Sequence, residues 1–251
     1  MTEQFEFTTN EQAVHEGVDT GAFGDDVRAQ AREIIDRYPE SRSALLPMLH
    51  LVQSVQGHVS REGVHFCAEQ LALSPAEVSA VATFYTMYKR APCGQHLVSV
   101  CTNTLCAALG GDEIYRALGE HLGVGHEETA GEPGAEGSIT LEHAECLAAC
   151  DLGPVLQVNY EYYDNQTAQQ ALDLVRALQR GEKPPPSRGR ALSDFRSAER
   201  ELAGFPDESA ESDGPSAAPE TLRGTRLAQQ RGWAAPDKPA QAELPPLPEK
   251  R

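Results

Sequence analysis

Four cysteines in two close pairs place the strongest constraint on how this sequence folds. Four residues separate Cys101 from Cys106, and three separate Cys146 from Cys150. Each pair follows an apolar or alternating segment that predicts a β-strand. Four thiolates on two loops can form a tetrahedral metal site or hold a small iron–sulfur cluster. The chain must therefore bring two distant strand ends together.

The spacing within each pair favours a [2Fe-2S] cluster over zinc. Zinc sites often use shorter C-x2-C loops because one ion gathers all four sulfurs, whereas each of two irons needs two protein ligands. Zinc and structural disulfides remain alternatives. Disulfides are disfavoured because the N-terminus lacks the basic and apolar regions of a signal peptide, so we expect a cytoplasmic protein.

The two remaining cysteines lack the spacing of ligands. Cys67 lies beside apolar residues on a predicted helix, so we expect a small core residue. Cys93 lies in a predicted linker, where we expect a partly exposed thiol. Neither is assigned to the metal site.

The net charge and the hydropathy of the chain argue against some classes of binding partner. The chain has 38 acidic and 21 basic residues, a net charge of −17, of which −16 falls within residues 1–186. Such an acidic protein is a poor match for nucleic acid or anionic membrane surfaces. It also lacks the run of about eighteen apolar residues that would cross a bilayer.

Local signals divide the chain into parts. A polar leader is expected over 1–25 and a helical domain over 26–92, in which Ser74-Pro75-Ala76-Glu77 is a helix start with a capping box. Over 93–183 we expect a strand at His96–Cys101, a helix over 107–122, a loop over 125–137, two short strands, and a closing helix at Thr167–Gln179. The fold class predicted is α+β, with an N-terminal helical bundle followed by an α/β domain.

Two further features lie outside the cysteine pairs. Eleven of the 17 prolines fall between 184 and 248, so we expect residues 184–251 to form a disordered Pro-rich tail, and removal of 187–251 to leave the fold intact. The helix that starts at Ser74 is expected to run to about Tyr88, and its aromatic group Phe84, Tyr85 and Tyr88 is interpreted as helix core, with partner contact as the alternative.

Several segments resemble a known family. They are Val81-Ala-Thr-Phe-Tyr-Thr-Met87, Cys101-Thr-Asn-Thr-Leu-Cys106, and Glu145-Cys-Leu-Ala-Ala-Cys150 followed by Gly153-Pro154-Val155. They resemble the thioredoxin-like [2Fe-2S] subunit of bacterial NADH-quinone oxidoreductase, the E-subunit family of respiratory complex I, over about residues 26–183. Ala148 and Asp151 stand where that family usually has glycine.

The resemblance implies a fold, a cofactor and a role. It implies a thioredoxin-like fold for the α/β domain and one [2Fe-2S] cluster ligated by Cys101, Cys106, Cys146 and Cys150. It also implies an electron-transfer role, in which the chain exchanges one electron with the FMN of a partner subunit. That partner is a flavoprotein that also binds NADH. No catalytic residue is then expected on this chain, which would reach the cytoplasmic face of the membrane through this partner and other peripheral-arm subunits of complex I.

Three alternatives to this role stay open. The equivalent subunit of an NAD-dependent formate dehydrogenase or NAD-reducing hydrogenase shares the architecture. A zinc-stabilised interaction module belongs to a different class. A thiol–disulfide oxidoreductase is disfavoured because the chain has no C-x-x-C motif. The chain also lacks G-x-G-x-x-G and P-loop motifs, so nothing indicates that it binds NAD or a flavin itself.

Overall fold

The computed structural model describes residues 19–206 and 218–234. The chain divides into two compact units, residues 1–216 and 217–251. The first unit begins with four helices and continues as a sheet with helices. This agrees with the predicted α+β class. The domain boundaries at 25, 92 and 183 stay predictions.

The helical half is built from α1 (Asp25–Asp36), α2 (Leu45–Gln56), α3 (Arg61–Leu71) and α4 (Pro75–Phe84). The predicted capping box between Ser74 and Glu77 is confirmed, and the Ser60 side chain caps α3. A core of buried aliphatic and aromatic residues joins the four helices. Phe23 stacks on Phe66 in this core at 4.5 Å, so the end of the expected leader is packed; residues 1–18 lie outside the described residues.

The aromatic group after α4 differs from the prediction. The helix ends at Phe84 rather than near Tyr88, and the Phe84 side chain is 77% exposed. Tyr85 is exposed as well, whereas Tyr88 is buried and donates a hydrogen bond to the carbonyl of Leu46 at 3.0 Å. The core interpretation is therefore wrong for Phe84 and Tyr85, because the helix stops before their side chains can turn inward.

A five-stranded sheet forms the second half. Its strands are β1 (His96–Cys101), β2 (Glu128–Ala130), β3 (Ile139–Ala144), β4 (Leu156–Val158) and β5 (Glu161–Tyr163). They lie in the order β2-β3-β1-β4-β5, and only the β1–β3 pair is parallel within this sheet. The helices of this half are α5 (Thr104–Ala108), α6 (Gly111–Leu122) and α7 (Ala168–Gln179). Helices α6 and α7 pack together, and α6 also contacts β1 and β3.

Two local differences from the prediction have identifiable causes. The helix expected over 107–122 is divided into α5 and α6, because Gly110 has a φ of +113° that no helix contains. The segment 125–137, expected to be a loop, contributes the edge strand β2, whose three residues are too few to give a periodic signal.

Part of the expected disordered tail is ordered. Helix α8 (Phe195–Leu202) begins after Asp194, whose side chain accepts a hydrogen bond from the Ser197 N–H, and it packs against α2. Glu199 is 0% exposed. Its carboxylate lies 2.6 Å from His50 Nδ1 and accepts a hydrogen bond from the Tyr160 hydroxyl at 2.5 Å. Helix α8 thus connects the helical half to the sheet half.

The second unit contains α9 (Arg223–Gln230), which has no buried residue. The Arg231 guanidinium lies 5.0 Å from the Trp233 ring centroid. The rest of the expected disordered tail, residues 207–217 and 235–251, falls outside the described residues. No helix in the described ranges is long and apolar enough to cross a membrane.

Candidate metal centre

The parallel pairing of β1 and β3 brings the two cysteine pairs to one edge of the sheet. Cys101 is the last residue of β1 and lies opposite Ala144, the last residue of β3. Parallel strands that end in register place the loops that follow them side by side. Cys146 follows β3 by two residues, so the two loops that the sequence marked as ligand-bearing meet at this edge.

The first pair is buried within regular structure. Cys101 is 1% exposed and Cys106 is 2% exposed. Burial raises the pKa of Cys106 to about 11, and a hydrogen bond from the Val155 backbone N–H to its sulfur opposes that increase. The Val155 carbonyl in turn accepts from the Cys101 N–H at 3.1 Å. One peptide segment therefore holds both cysteines of the first pair.

The second pair lies at the surface. Cys146 and Cys150 are both exposed, and their sulfur atoms are 3.8 Å apart. Two sulfurs bound tetrahedrally to one metal at about 2.3 Å would be about 3.8 Å apart. Hydrogen bonding to the Cys146 thiol, followed by the charge of Cys146, raises the pKa of Cys150. This pair is already spaced to bind a metal ion.

The two pairs lie near each other. Cys101 contributes to the raised pKa of Cys150, and Cys150 contributes to the raised pKa of Cys106. Such electrostatic coupling requires that the thiols lie close together. Over 19–206 and 218–234, however, no three His, Cys, Asp or Glu side chains are placed to hold a single metal ion.

Two glycines leave room for the site. A Cβ at Gly111 would lie 2.4 Å from the carbonyl oxygen of Cys101 and 2.9 Å from that of Cys106. A Cβ at Gly153 would lie 3.3 Å from the Cys106 sulfur. The start of α6 therefore approaches the backbone of the first pair closely. Four soft thiol ligands arranged as two pairs fit a [2Fe-2S] cluster, which binds two ligands to each iron.

The two departures from the family pattern lie in the second loop. Ala148 has a φ of +55°, in the left-handed region, where a residue with a Cβ costs about 1–2 kcal/mol. Asp151 lies in a short 3-10 turn, Cys150–Leu152, and its side chain is exposed. The alanine therefore occupies a backbone position that suits glycine, and the Asp151 carboxylate adds negative charge next to Cys150.

The two remaining cysteines and His143 lie outside the two cysteine pairs. Cys67 is fully buried, as predicted, and burial raises its pKa. Cys93, expected to be partly exposed, is buried against Leu97 and Phe195, because α8 covers it. His143 is exposed, and its ring stacks on that of His126.

A buried ion pair near the second loop escaped the sequence analysis. The Lys89 side chain, from the segment after α4, pairs with Glu142 of β3, which also accepts a hydrogen bond from Ser99 of β1 at 2.5 Å. Glu142, Ser99 and Cys146 line one groove. No local pattern marks Lys89, since its partner is 53 residues away.

Comparison with known proteins identifies the family of this chain. A profile of the thioredoxin-like [2Fe-2S] ferredoxin family matches residues 31–179. The NADH-quinone oxidoreductase E subunit of Mycobacterium tuberculosis is 51% identical over 218 residues, which cover 86% of this chain and 84% of that protein. The corresponding protein of Rickettsia prowazekii is 38% identical over 140 residues, which cover 54% of this chain and 76% of that protein.

Solved structures show weaker similarity. An NAD+-reducing [NiFe]-hydrogenase matches with a TM-score of 0.48 and 16% identity, over 54% of this chain and 23% of the hydrogenase chain. A thioredoxin-like [2Fe-2S] ferredoxin from Aquifex aeolicus matches with a TM-score of 0.29 and 22% identity, over 36% of this chain and 84% of that ferredoxin. The family profile covers more than half of this sequence, and the chain belongs to the thioredoxin-like [2Fe-2S] ferredoxin family.

Proposed function

We propose that this chain is the [2Fe-2S] electron-transfer subunit of the NADH-oxidising module of an NADH-quinone oxidoreductase. Cys101, Cys106, Cys146 and Cys150 would hold one cluster. The observation that carries the proposal is the meeting of two thiol pairs at one sheet edge. The high identity to the M. tuberculosis protein, over most of both chains, supports the assignment to an NADH-quinone oxidoreductase. When bound, such a cluster carries one electron at a time.

The chain's own residues would fix the ligands and leave one side open. The Val155 backbone holds Cys101 and Cys106 inside the fold, where water is excluded. Cys146 and Cys150 face outward, so an electron carrier on a partner can approach this side. No catalytic side chain is assigned here, and bond-making chemistry belongs to the partner.

The partner is a flavoprotein that carries FMN and the NADH site, and an apolar surface supports such a partner. Phe84 and Tyr85 are exposed and pack edge to face at 5.0 Å. Leu105 and Leu109 are exposed on either side of Cys106. Large exposed apolar side chains are typical of interfaces.

A groove links this surface to the cysteine site. Met87, two residues after Tyr85, lines the same groove as Cys146. Glu127 and Glu145 also line it, so a basic surface on the flavoprotein would complement it. Through such partners the chain would reside at the cytoplasmic face of the membrane.

Electron paramagnetic resonance of the dithionite-reduced protein tests the cofactor. We expect about two irons per chain and one signal with an average g below 2, as for a [2Fe-2S] centre. Cys67→Ser is the matched control and should keep the signal, because Cys67 lies in the helical core. A protein with about one zinc and no iron would contradict the assignment.

A separate experiment tests the partner. The chain is mixed with the flavoprotein subunit of its own complex, and cluster bleaching by NADH is followed at several concentrations. Phe84→Asp should weaken association at least tenfold with an unchanged cluster spectrum, whereas Tyr38→Asp, another exposed aromatic, should not. If NADH never bleaches the cluster in the presence of the flavoprotein, the proposed electron exchange is wrong.

A further inference from the structure

The helical half contains a second concave site, which shares no residue with the groove beside Cys146. Its volume is about 530 Å³, within the range of small-molecule sites. Its polar lining consists of basic and hydroxyl side chains: His58, Ser60, Arg61, His65, Ser79 and Arg90. Every ionisable side chain in this lining is basic, although the chain as a whole carries a net charge of −17.

The two arginines of this cavity differ from most others in the described part of the chain. Arg42, for example, pairs with Glu77 at 2.8 Å. Neither Arg61 nor Arg90 lies within ion-pair distance of a carboxylate among the described residues. The neighbouring Glu62 accepts a hydrogen bond from Gln56 instead. Like charges around one cavity repel each other, and a bound anion would relieve that repulsion.

Two helices also begin at this cavity. Ser60 and Arg61 lie at the start of α3, and Pro75 and Ala76 lie at the start of α4. The N-terminus of a helix carries a partial positive charge of about half an elementary charge. At α4 the Glu77 carboxylate of the capping box offsets this charge, and at α3 Glu62 lies in the first turn, so the two arginines are the main source of positive charge at the cavity.

We propose that this cavity binds the phosphate groups of a small phosphorylated molecule. Arginine side chains offer paired N–H donors that match phosphate oxygens, and the Ser79 hydroxyl can donate one more hydrogen bond. The apolar part of the lining consists of Val59, Val64, Pro75 and Ala76, and it contains no phenyl, phenol or indole ring. Recognition is thus directed at the phosphates. The site is independent of the cluster and goes beyond electron transfer.

Calorimetric titration of the full chain, with its cluster, tests this site. Inorganic pyrophosphate is the probe, in a low-salt chloride buffer. The variant is Arg61→Gln with Arg90→Gln, and the matched control is Arg116→Gln with Arg176→Gln, which removes the same charge from exposed arginines of α6 and α7. We expect binding to wild type and control, and at least tenfold weaker binding to the cavity variant.

Further ligands identify the source of the phosphate. Binding of ADP but not of adenosine would support phosphate recognition, and tighter binding of ADP than of pyrophosphate would indicate a nucleotide. Absence of binding by wild-type protein at millimolar pyrophosphate would overturn the proposal. Equal weakening in both double variants would overturn it as well, because general charge would then explain the affinity. Binding of polyglutamate as tightly as pyrophosphate would also overturn the proposal.

Discussion

The two cysteine pairs, which are the proposed cluster ligands, lie in opposite surroundings. Cys101 and Cys106 are buried, and their backbone is held by a β-ladder, by Val155 and by the start of α6. Cys146 and Cys150 are exposed on a loop and a short 3-10 turn. The first pair is thus part of the folded interior, while the second lies where a partner can reach it. Perturbing each pair separately should therefore give different results.

Replacing single ligands gives the largest expected effect. Cys101→Ser and Cys146→Ser should each abolish or greatly weaken the cluster absorption, because each removes a ligand that the cluster needs. Only Cys101→Ser should also destabilise the iron-free protein, by about 1–3 kcal/mol, since it places a hydroxyl in a buried position.

Iron content and urea unfolding of both variants provide the measurement. Cys146→Ser should stay within about 0.5 kcal/mol of the wild-type iron-free protein, as expected for an exposed position. An unchanged cluster in Cys146→Ser would contradict the ligand assignment. Equal destabilisation by both variants would contradict the proposed difference in burial between the two pairs.

The close approach at Gly111 predicts the next largest effect. Gly111→Ala would place a Cβ 2.4 Å from the Cys101 carbonyl oxygen, so the backbone around the first pair must shift. We expect a loss of about 2–3 kcal/mol in the free energy of unfolding, measured with urea. Gly24→Ala is the control, because its Cβ would meet nothing within 4 Å. Wild-type stability in Gly111→Ala would disprove the close approach.

Thiol labelling should be roughly tenfold or more faster for the exposed pair than for the buried pair. A maleimide pulse on the iron-free protein should modify Cys146 and Cys150 first, because they are exposed. Cys106 should react slowly at neutral pH and faster as the pH rises towards its raised pKa of about 11. Peptide mass spectrometry gives the order. Earlier labelling of Cys106 than of Cys150 would mean that the first pair opens readily.

The smallest predicted effect concerns the charge beside the second pair. Asp151→Asn should raise the reduction potential of the cluster, because it removes a negative charge that opposes reduction. At a surface screened by water, removing one nearby charge changes the potential by about 10–30 mV. Asp173→Asn on α7 is the control and should leave the potential unchanged. A redox titration with an equal or lower potential for Asp151→Asn would contradict the prediction.

Local signals account for most of what the sequence could predict. Strand β1 begins and ends at the predicted residues, His96 and Cys101, because an apolar run is bounded there by a linker and the first ligand. The capping box at Ser74 and Glu77 was visible for the same reason, since its partners are three residues apart. The sequence also marked both ligand pairs, and the structure brings them together. Their role as ligands stays a proposal.

Long-range contacts account for what the sequence could not predict. Helix α8 lies in a segment that was expected to be disordered, because prolines are frequent around it. A local signal for the helix is nevertheless present: Asp194 is a good N-cap, and apolar residues follow at helical spacing at Phe195, Ala198 and Leu202. Its burial depends on His50, which is 149 residues away. Contrary to the expectation from sequence, removal of 187–251 would therefore uncover core side chains of the first unit.

The position of α8 in the chain also sets the order in which the molecule is completed during synthesis. His50 leaves the ribosome early, and Glu199, which covers it, is made 149 residues later. At roughly 5–20 residues per second, this interval lasts about 7–30 s. Throughout that time the nascent helical half lacks its last packing element. A translational pause or early stop before residue 195 would leave this surface open to chaperones and proteases, although every proposed cysteine ligand had already been synthesised.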